Sequence, residues 1–211
     1  VLKRLSQLTA TLALVAAFAA TAAAAPILGP VSGITNMGQS FPLSHTFDQS
    51  GLSAPYISGV TDFDTYVATH FSAPGTDWVA TQVTGNVVYD LGGVVFIDRA
   101  AVWNFGTSGS DPLYAIQRIT LEGSLDGVSY VPLGDFALTN PNGALNTLAQ
   151  ILSFGGVDAQ FVRMNVLSNY GGPASALGEI AFRAEAVPEP ATVLLMGSGL
   201  LAFARRQRRR A

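Results

Sequence analysis

Cysteine is absent from all 211 residues. Disulfides, thiolate metal sites and thiol nucleophiles are thereby excluded. Histidine is nearly as scarce. His45 and His70 are the only two, too few for a multi-histidine zinc site, and neither stands in a metalloprotease helix motif. No Gly-x-Ser-x-Gly elbow is present, and Gly197-Ser198-Gly199 near the C-terminus is not one. Gly85, Gly92 and Gly93 lack the lysine and helix of a phosphate cradle, so they read as turn residues. Ten aspartates supply carboxylates, but no spacing pairs two of them as an acid and a base, and the chain is expected to be non-enzymatic.

Positive charge is also missing where it would matter. Of eleven basic residues, Lys3, Arg4 and five arginines between Arg205 and Arg210 lie in the end segments. Between Pro26 and Ala186 four arginines face thirteen acidic residues, a formal charge of −9. That balance argues against a nucleic-acid partner, which demands concentrated phosphate-neutralising charge.

What is present is clearest at the two ends. Lys3 and Arg4 precede an apolar, alanine-rich stretch from Leu8 to Ala25. Basic, apolar and small-residue regions in that order describe a secretory signal peptide over residues 1–25, cut between about Ala23 and Pro26. At the other end Val187-Pro188-Glu189-Pro190 leads into an apolar run from Ala191 to Ala204, followed by Arg205-Arg206-Gln207-Arg208-Arg209-Arg210. The run is shorter than the roughly 20 residues that span a bilayer comfortably. The arginine block favours the cytoplasmic side and would leave the preceding domain facing outward.

This three-part tail resembles the PEP-CTERM sorting signal of exopolysaccharide-producing Gram-negative bacteria, with Pro188, Glu189 and Pro190 as its motif. The resemblance implies processing by an exosortase, transient anchoring in the inner membrane through a short helix within residues 187–211, and export to the cell surface or extracellular matrix.

Residues 26–186 suffice for one well-packed domain. Helical periodicity is scarce there, while short runs of Val, Thr, Phe and Tyr are broken by Gly, Asn, Asp and Pro, the pattern of an all-β sandwich or barrel. Val87–Leu91 reads as a strand, Gly92-Gly93 as a turn, and Val94–Phe105 as the next strand. Ile119–Leu125 and Val128–Leu133 read as a hairpin closed by Asp126-Gly127, with Ile119, Leu121 and Leu125 on one face. Phe161–Leu167 alternates so as to place Val162, Met164 and Val166 inside. Gly178–Ala184 is the closing strand, and the segment after Asn140-Pro141-Asn142-Gly143 suits one helical turn. Pro26–Ser53 reads as either a first strand with loops or an arm.

Laid out in order, Tyr89-Asp90-Leu91-Gly92, Ile97-Asp98-Arg99-Ala100, Leu121–Val128 with Tyr130, Phe161-Val162-Arg163 and Leu177–Phe182 resemble the discoidin, or coagulation-factor type C, family over roughly Asp62 to Glu185. The terminal cysteine pair of many animal members is missing. The resemblance implies a galactose-binding-like jelly-roll β-sandwich. It also implies a structural calcium near the chain ends, with Asp62, Asp64 and Glu179 at the matching positions. A carbohydrate ligand, with exopolysaccharide as the candidate, would lie across loops at one end of the sandwich. Tyr66, His70, Trp103, Asn104 and Tyr170 are the residues placed to serve it, Tyr170 first because Asn169–Gly172 reads as an exposed loop. Trp78 reads as core, and Trp103 as either core or ligand contact. The alternative is a structural or adhesion protein of the matrix that contacts other proteins.

Overall fold

A computed structural model describes residues 25–107 and 112–185. The sorting motif, the expected leader up to residue 24 and the expected C-terminal membrane helix lie outside them. Ala25–Glu185 forms one compact unit. Ten strands run through it: β1 Ile27–Leu28, β2 Ser32–Thr35, β3 Thr69–Phe71, β4 Trp78–Val79, β5 Gly85–Asn104, β6 Ile116–Ser124, β7 Val131–Ala137, β8 Asn146–Leu148, β9 Gln150–Asn169 and β10 Ala176–Ala184. The helical elements among the described residues are two 3-10 turns, Leu43–Thr46 and Pro112–Tyr114.

The long strands β5 and β9 organise the rest. They pair antiparallel from Gly85↔Val166 to Val102↔Gln150, with the register broken between Asp90 and Val95 and again between Ile97 and Arg99. Bulges of this kind bend and twist a strand pair, and the two halves take different neighbours. The first half of β5 pairs with β2, and the matching half of β9 with β6, which pairs with β7. The second half of β5 pairs with β10, which also holds β1 and β4. Folding the sheet at the bulge gives the two layers of a jelly-roll β-sandwich. β3 and β8 pair separately.

Alternation fills the space between the layers. Val87, Tyr89 and Leu91 of β5, Ile119 and Leu121 of β6, Val162, Met164 and Val166 of β9, and Ile180 and Phe182 of β10 join Trp78 in the main core. Each such side chain contributes roughly 1.5–3 kcal/mol on burial. The opposite face of β6 and β9 is polar, with Arg163 paired to Glu122 at 2.6 Å and stacked over Tyr130.

Several local expectations are corrected. Gly92, at φ +83°, sits within β5 at the bulge and does not separate two strands. Leu125 is exposed, because the chain leaves β6 at Ser124 and turns through six residues before β7. Asp126 closes that turn by accepting hydrogen bonds from the Val128 and Ser129 amides. The segment after Asn142 forms β8 and has no helical turn. Residues 26–53 supply β1, β2 and a 3-10 turn and form part of the fold.

Both ends of the unit meet. Ile27 lies opposite Arg183, the Ala184 amide donates to the Pro26 carbonyl, and the Phe63 amide donates to that of Ala25.

Candidate functional site

The loops collect at one end around a cleft of about 780 Å³. Ser40 and Phe41 follow β2. Phe71 ends β3, and the β3–β4 connection adds Ser72, Pro74 and Asp77; β4 and its exit add Val79, Ala80 and Thr81. Phe105, Thr107 and Tyr114 come from the β5–β6 connection, Leu145 precedes β8, and Pro173 and Ala174 join β9 to β10. Phe41, Phe71 and Leu145 are exposed to solvent at this end. Aromatic and aliphatic walls with a few placed hydroxyls form a surface suited to the apolar face of a small polar ligand.

Among the described residues Asp77 is the one carboxyl in the wall. It is buried, accepts a 3.0 Å hydrogen bond from the Ser72 hydroxyl, and burial pushes it up to about 7. Its position follows from the Pro74-Gly75 turn, where Gly75 adopts φ +95° and the Thr76 hydroxyl bonds the Phe71 and Ala73 carbonyls. His45 Nδ1 bonds the Asp77 carbonyl at 3.0 Å.

The residues expected to touch a sugar have other partners. Trp103 is buried and donates Nε1–H to the Ala68 carbonyl at 2.9 Å. Tyr66 stands edge-on against Trp103 and Tyr56, and its hydroxyl donates to the Ala54 carbonyl. These two rings line a separate apolar crevice of about 250 Å³. Asn104 ties β5 to its neighbours: Nδ2 donates to the Ile116 and Thr139 carbonyls, and Oδ1 accepts from the Phe105 and Ile116 amides. His70 is fully buried, donates Nε2–H to the Thr76 carbonyl, and is pushed down to about 4 by desolvation. Tyr170 packs against Phe105, Ala115 and Ala176 and donates its hydroxyl to the Leu138 carbonyl at 2.7 Å. All five side chains thus hydrogen-bond backbone carbonyls within the fold. Trp78 is core, as read from the sequence.

Asp62, Asp64 and Glu179 do not form a cluster either. Asp62 Oδ1 and Oδ2 accept from the Asp64 amide and the Thr65 hydroxyl. Asp64 is paired with Arg99 at 2.7 Å and with Arg183 at 3.2 Å. Glu179 lies on β10, fully buried, where burial drives it up to about 9. Its Oε2 accepts from the Gln49 amide while Oε1 has no partner. Among the described residues no group of three His, Asp or Glu is placed to hold a metal ion.

Phe71, Thr81, Phe105 and Tyr114 were not singled out from the sequence. The signal available in the sequence is Ala73-Pro74-Gly75, a turn next to which Phe71 lies.

The fold is that of galactose-binding-like β-sandwiches in solved structures. The AlyQ CBM32 solved with 4,5-unsaturated mannuronic acid matches with a TM-score of 0.51 at 12% identity, over 74% of this chain and 96% of that one. A truncated AlyQ with CBM32 and alginate lyase domains matches at 0.53 and 13%, over 76% of this chain and 34% of that longer one. The paired CBM32 domains of Clostridium perfringens ZmpB, solved with GalNAc, match at 0.50 and 14%, over 75% of this chain and 35% of that one. Beyond the sandwich, residues 186–210 match the PEP-CTERM protein-sorting motif. No curated protein matches the sequence.

Proposed function

We propose that this is an exported, non-enzymatic protein of the cell surface or extracellular matrix whose sandwich binds carbohydrate in the loop-end cleft, with exopolysaccharide as the natural ligand. The observation that carries this reading is the cleft: Phe71, Phe105 and Tyr114 present ring surface beside Ser40, Ser72, Thr81 and Thr107, on a fold shared with carbohydrate-binding domains. Sugars bind such surfaces by laying their apolar faces on rings while hydroxyls find fixed partners. The PEP-CTERM motif at 186–210 supports export, inner-membrane anchoring through the tail, and release by an exosortase. A glycan array tests the ligand class. Wild-type protein is expected to bind a restricted set of glycans, and Phe71→Ala and Tyr114→Ala to lose binding at least about tenfold with unchanged thermal stability. Binding that survives both substitutions contradicts this site.

Calcium belongs to the proposal through Glu179. A buried carboxylate oxygen without a partner suits a cation, and Asp48 lies close enough to raise Glu179 further. Glu179 would hold the ion, with further oxygens completing a shell of six to eight ligands.

A further inference from the structure

We propose that the cleft selects neutral sugars bearing an apolar substituent, an O-acetyl ester or a 6-deoxy methyl group, and rejects uronates and other anionic glycans. This deepens the carbohydrate-binding reading and rests on it.

The first ground is where the domain's lysines and arginines lie. Between Pro26 and Ala186 there is no lysine, and the arginines are Arg99, Arg118, Arg163 and Arg183. Arg99 and Arg183 pair with Asp64, and Arg183 also with Asp98. Arg118 pairs with Asp135, and Arg163 with Glu122. None of the four lines the cleft. A carboxylate brought into the cleft would be stripped of water with no guanidinium or ammonium to receive it, beside the buried carboxyl of Asp77. The domain's excess of acids opposes its approach as well.

The second ground is the wall itself. A cleft of about 780 Å³ lined by Phe41, Phe71, Phe105, Tyr114 and Leu145 offers more apolar surface than the ring of one unsubstituted hexose, whose rim is hydroxyl. A methyl or acetyl group supplies the matching surface. One such group in an apolar pocket typically changes affinity about tenfold or more.

The test uses the chain purified in detergent, with the compact unit Ala25–Glu185 alongside, on an array of paired probes. Acetylated glucomannan is set against its deacetylated form, 6-deoxyhexosides against the parent hexosides, and polygalacturonate represents the uronates. The expected result is binding to the substituted neutral probe about tenfold tighter than to its partner, insensitive to salt, with no binding of polygalacturonate. In Thr81→Arg, which adds a cation to an exposed wall position, neutral binding should weaken and polygalacturonate binding appear. Phe71→Ala, at a partly exposed side chain, should remove the preference for the substituted probe without unfolding the domain. Salt-sensitive binding of polygalacturonate by the wild type, or equal affinity for paired neutral probes, overturns the inference and leaves the carbohydrate-binding reading standing. Failure to bind any glycan overturns both.

Discussion

Glu179 and Asp77 are acids placed where ionisation is expensive, and both are raised mainly by burial, to about 9 and about 7. In the folded protein they hold protons that the unfolded chain releases above about pH 4 to 4.5. Their contribution to stability is therefore full below that range and is lost as pH rises through the folded values. His70, lowered to about 4, works in the opposite sense. Its neutral form stabilises the fold above about pH 6.5, and that contribution is lost as pH falls toward 4. The interval from pH 7 to 9 isolates the acids. In EDTA the melting temperature is expected to fall across it, the loss of unfolding free energy running at about 1.4 kcal/mol per pH unit while Glu179 stays protonated in the fold and flattening as it titrates toward pH 9. In Glu179→Gln it should be much flatter, and a wild-type curve flat over the same range would contradict the protonated Glu179. Calcium at millimolar concentration should replace the proton and raise the wild-type melting temperature at pH 8, with no effect in Glu179→Gln. Absence of any wild-type shift would remove the metal from the account. Asn104 acts at the same scale through hydrogen bonds. Asn104→Ala strands backbone groups of Ile116, Phe105 and Thr139, and equilibrium unfolding should show a loss of about 2 kcal/mol or more.

Among the elements, β10 holds the ends of the unit together, with β1 on one side and β5 on the other. The Asp64 loop is clamped to the same region by Arg99 and Arg183. Those ion pairs are substantially exposed on the Asp64 side, so Asp64→Ala should cost less than about 1 kcal/mol. It should also leave the calcium response intact, separating Asp64 from Glu179. A lost calcium response in this variant would return Asp64 to the metal site. The strands that alternate cleanly were legible in the sequence: Val162, Met164 and Val166 in β9, and β10 itself. The continuity of β5 through Gly92-Gly93 was not. A glycine pair signals a turn locally, and only the antiparallel partner, itself 20 residues long, carries the strand across. The lining of the cleft was the least legible. Trp103, Tyr66 and Tyr170 have the chemistry of sugar contacts, yet each reaches a carbonyl supplied by a distant segment. Phe71, flanked by His70 and Ser72, resembles any strand residue until the Pro74-Gly75 turn leaves it at the rim.

At the scale of the molecule, the domain closes its first strand onto its last by its own backbone pairing. Removal of residues 1–24 and 186–211 should leave the melting temperature within about 2 °C of the longer protein, because no buried side chain of the sandwich is deleted. Ending the chain before β10 removes Leu177, Ile180 and Phe182 from the core and should prevent folding. Circular dichroism and thermal melts separate the two results. A sandwich that survives processing in this way is consistent with a sorting tail used for delivery and a loop-end cleft used afterwards.

The most direct test of that role is amide NMR of the Ala25–Glu185 unit titrated with the tightest-binding array glycan. Saturable shifts concentrated at Phe71, Thr81, Phe105 and Tyr114, with Trp103 and Tyr66 unmoved, are expected. Shifts centred on the Tyr66–Trp103 crevice or on the polar face around Arg163, with the cleft silent, would contradict the assignment.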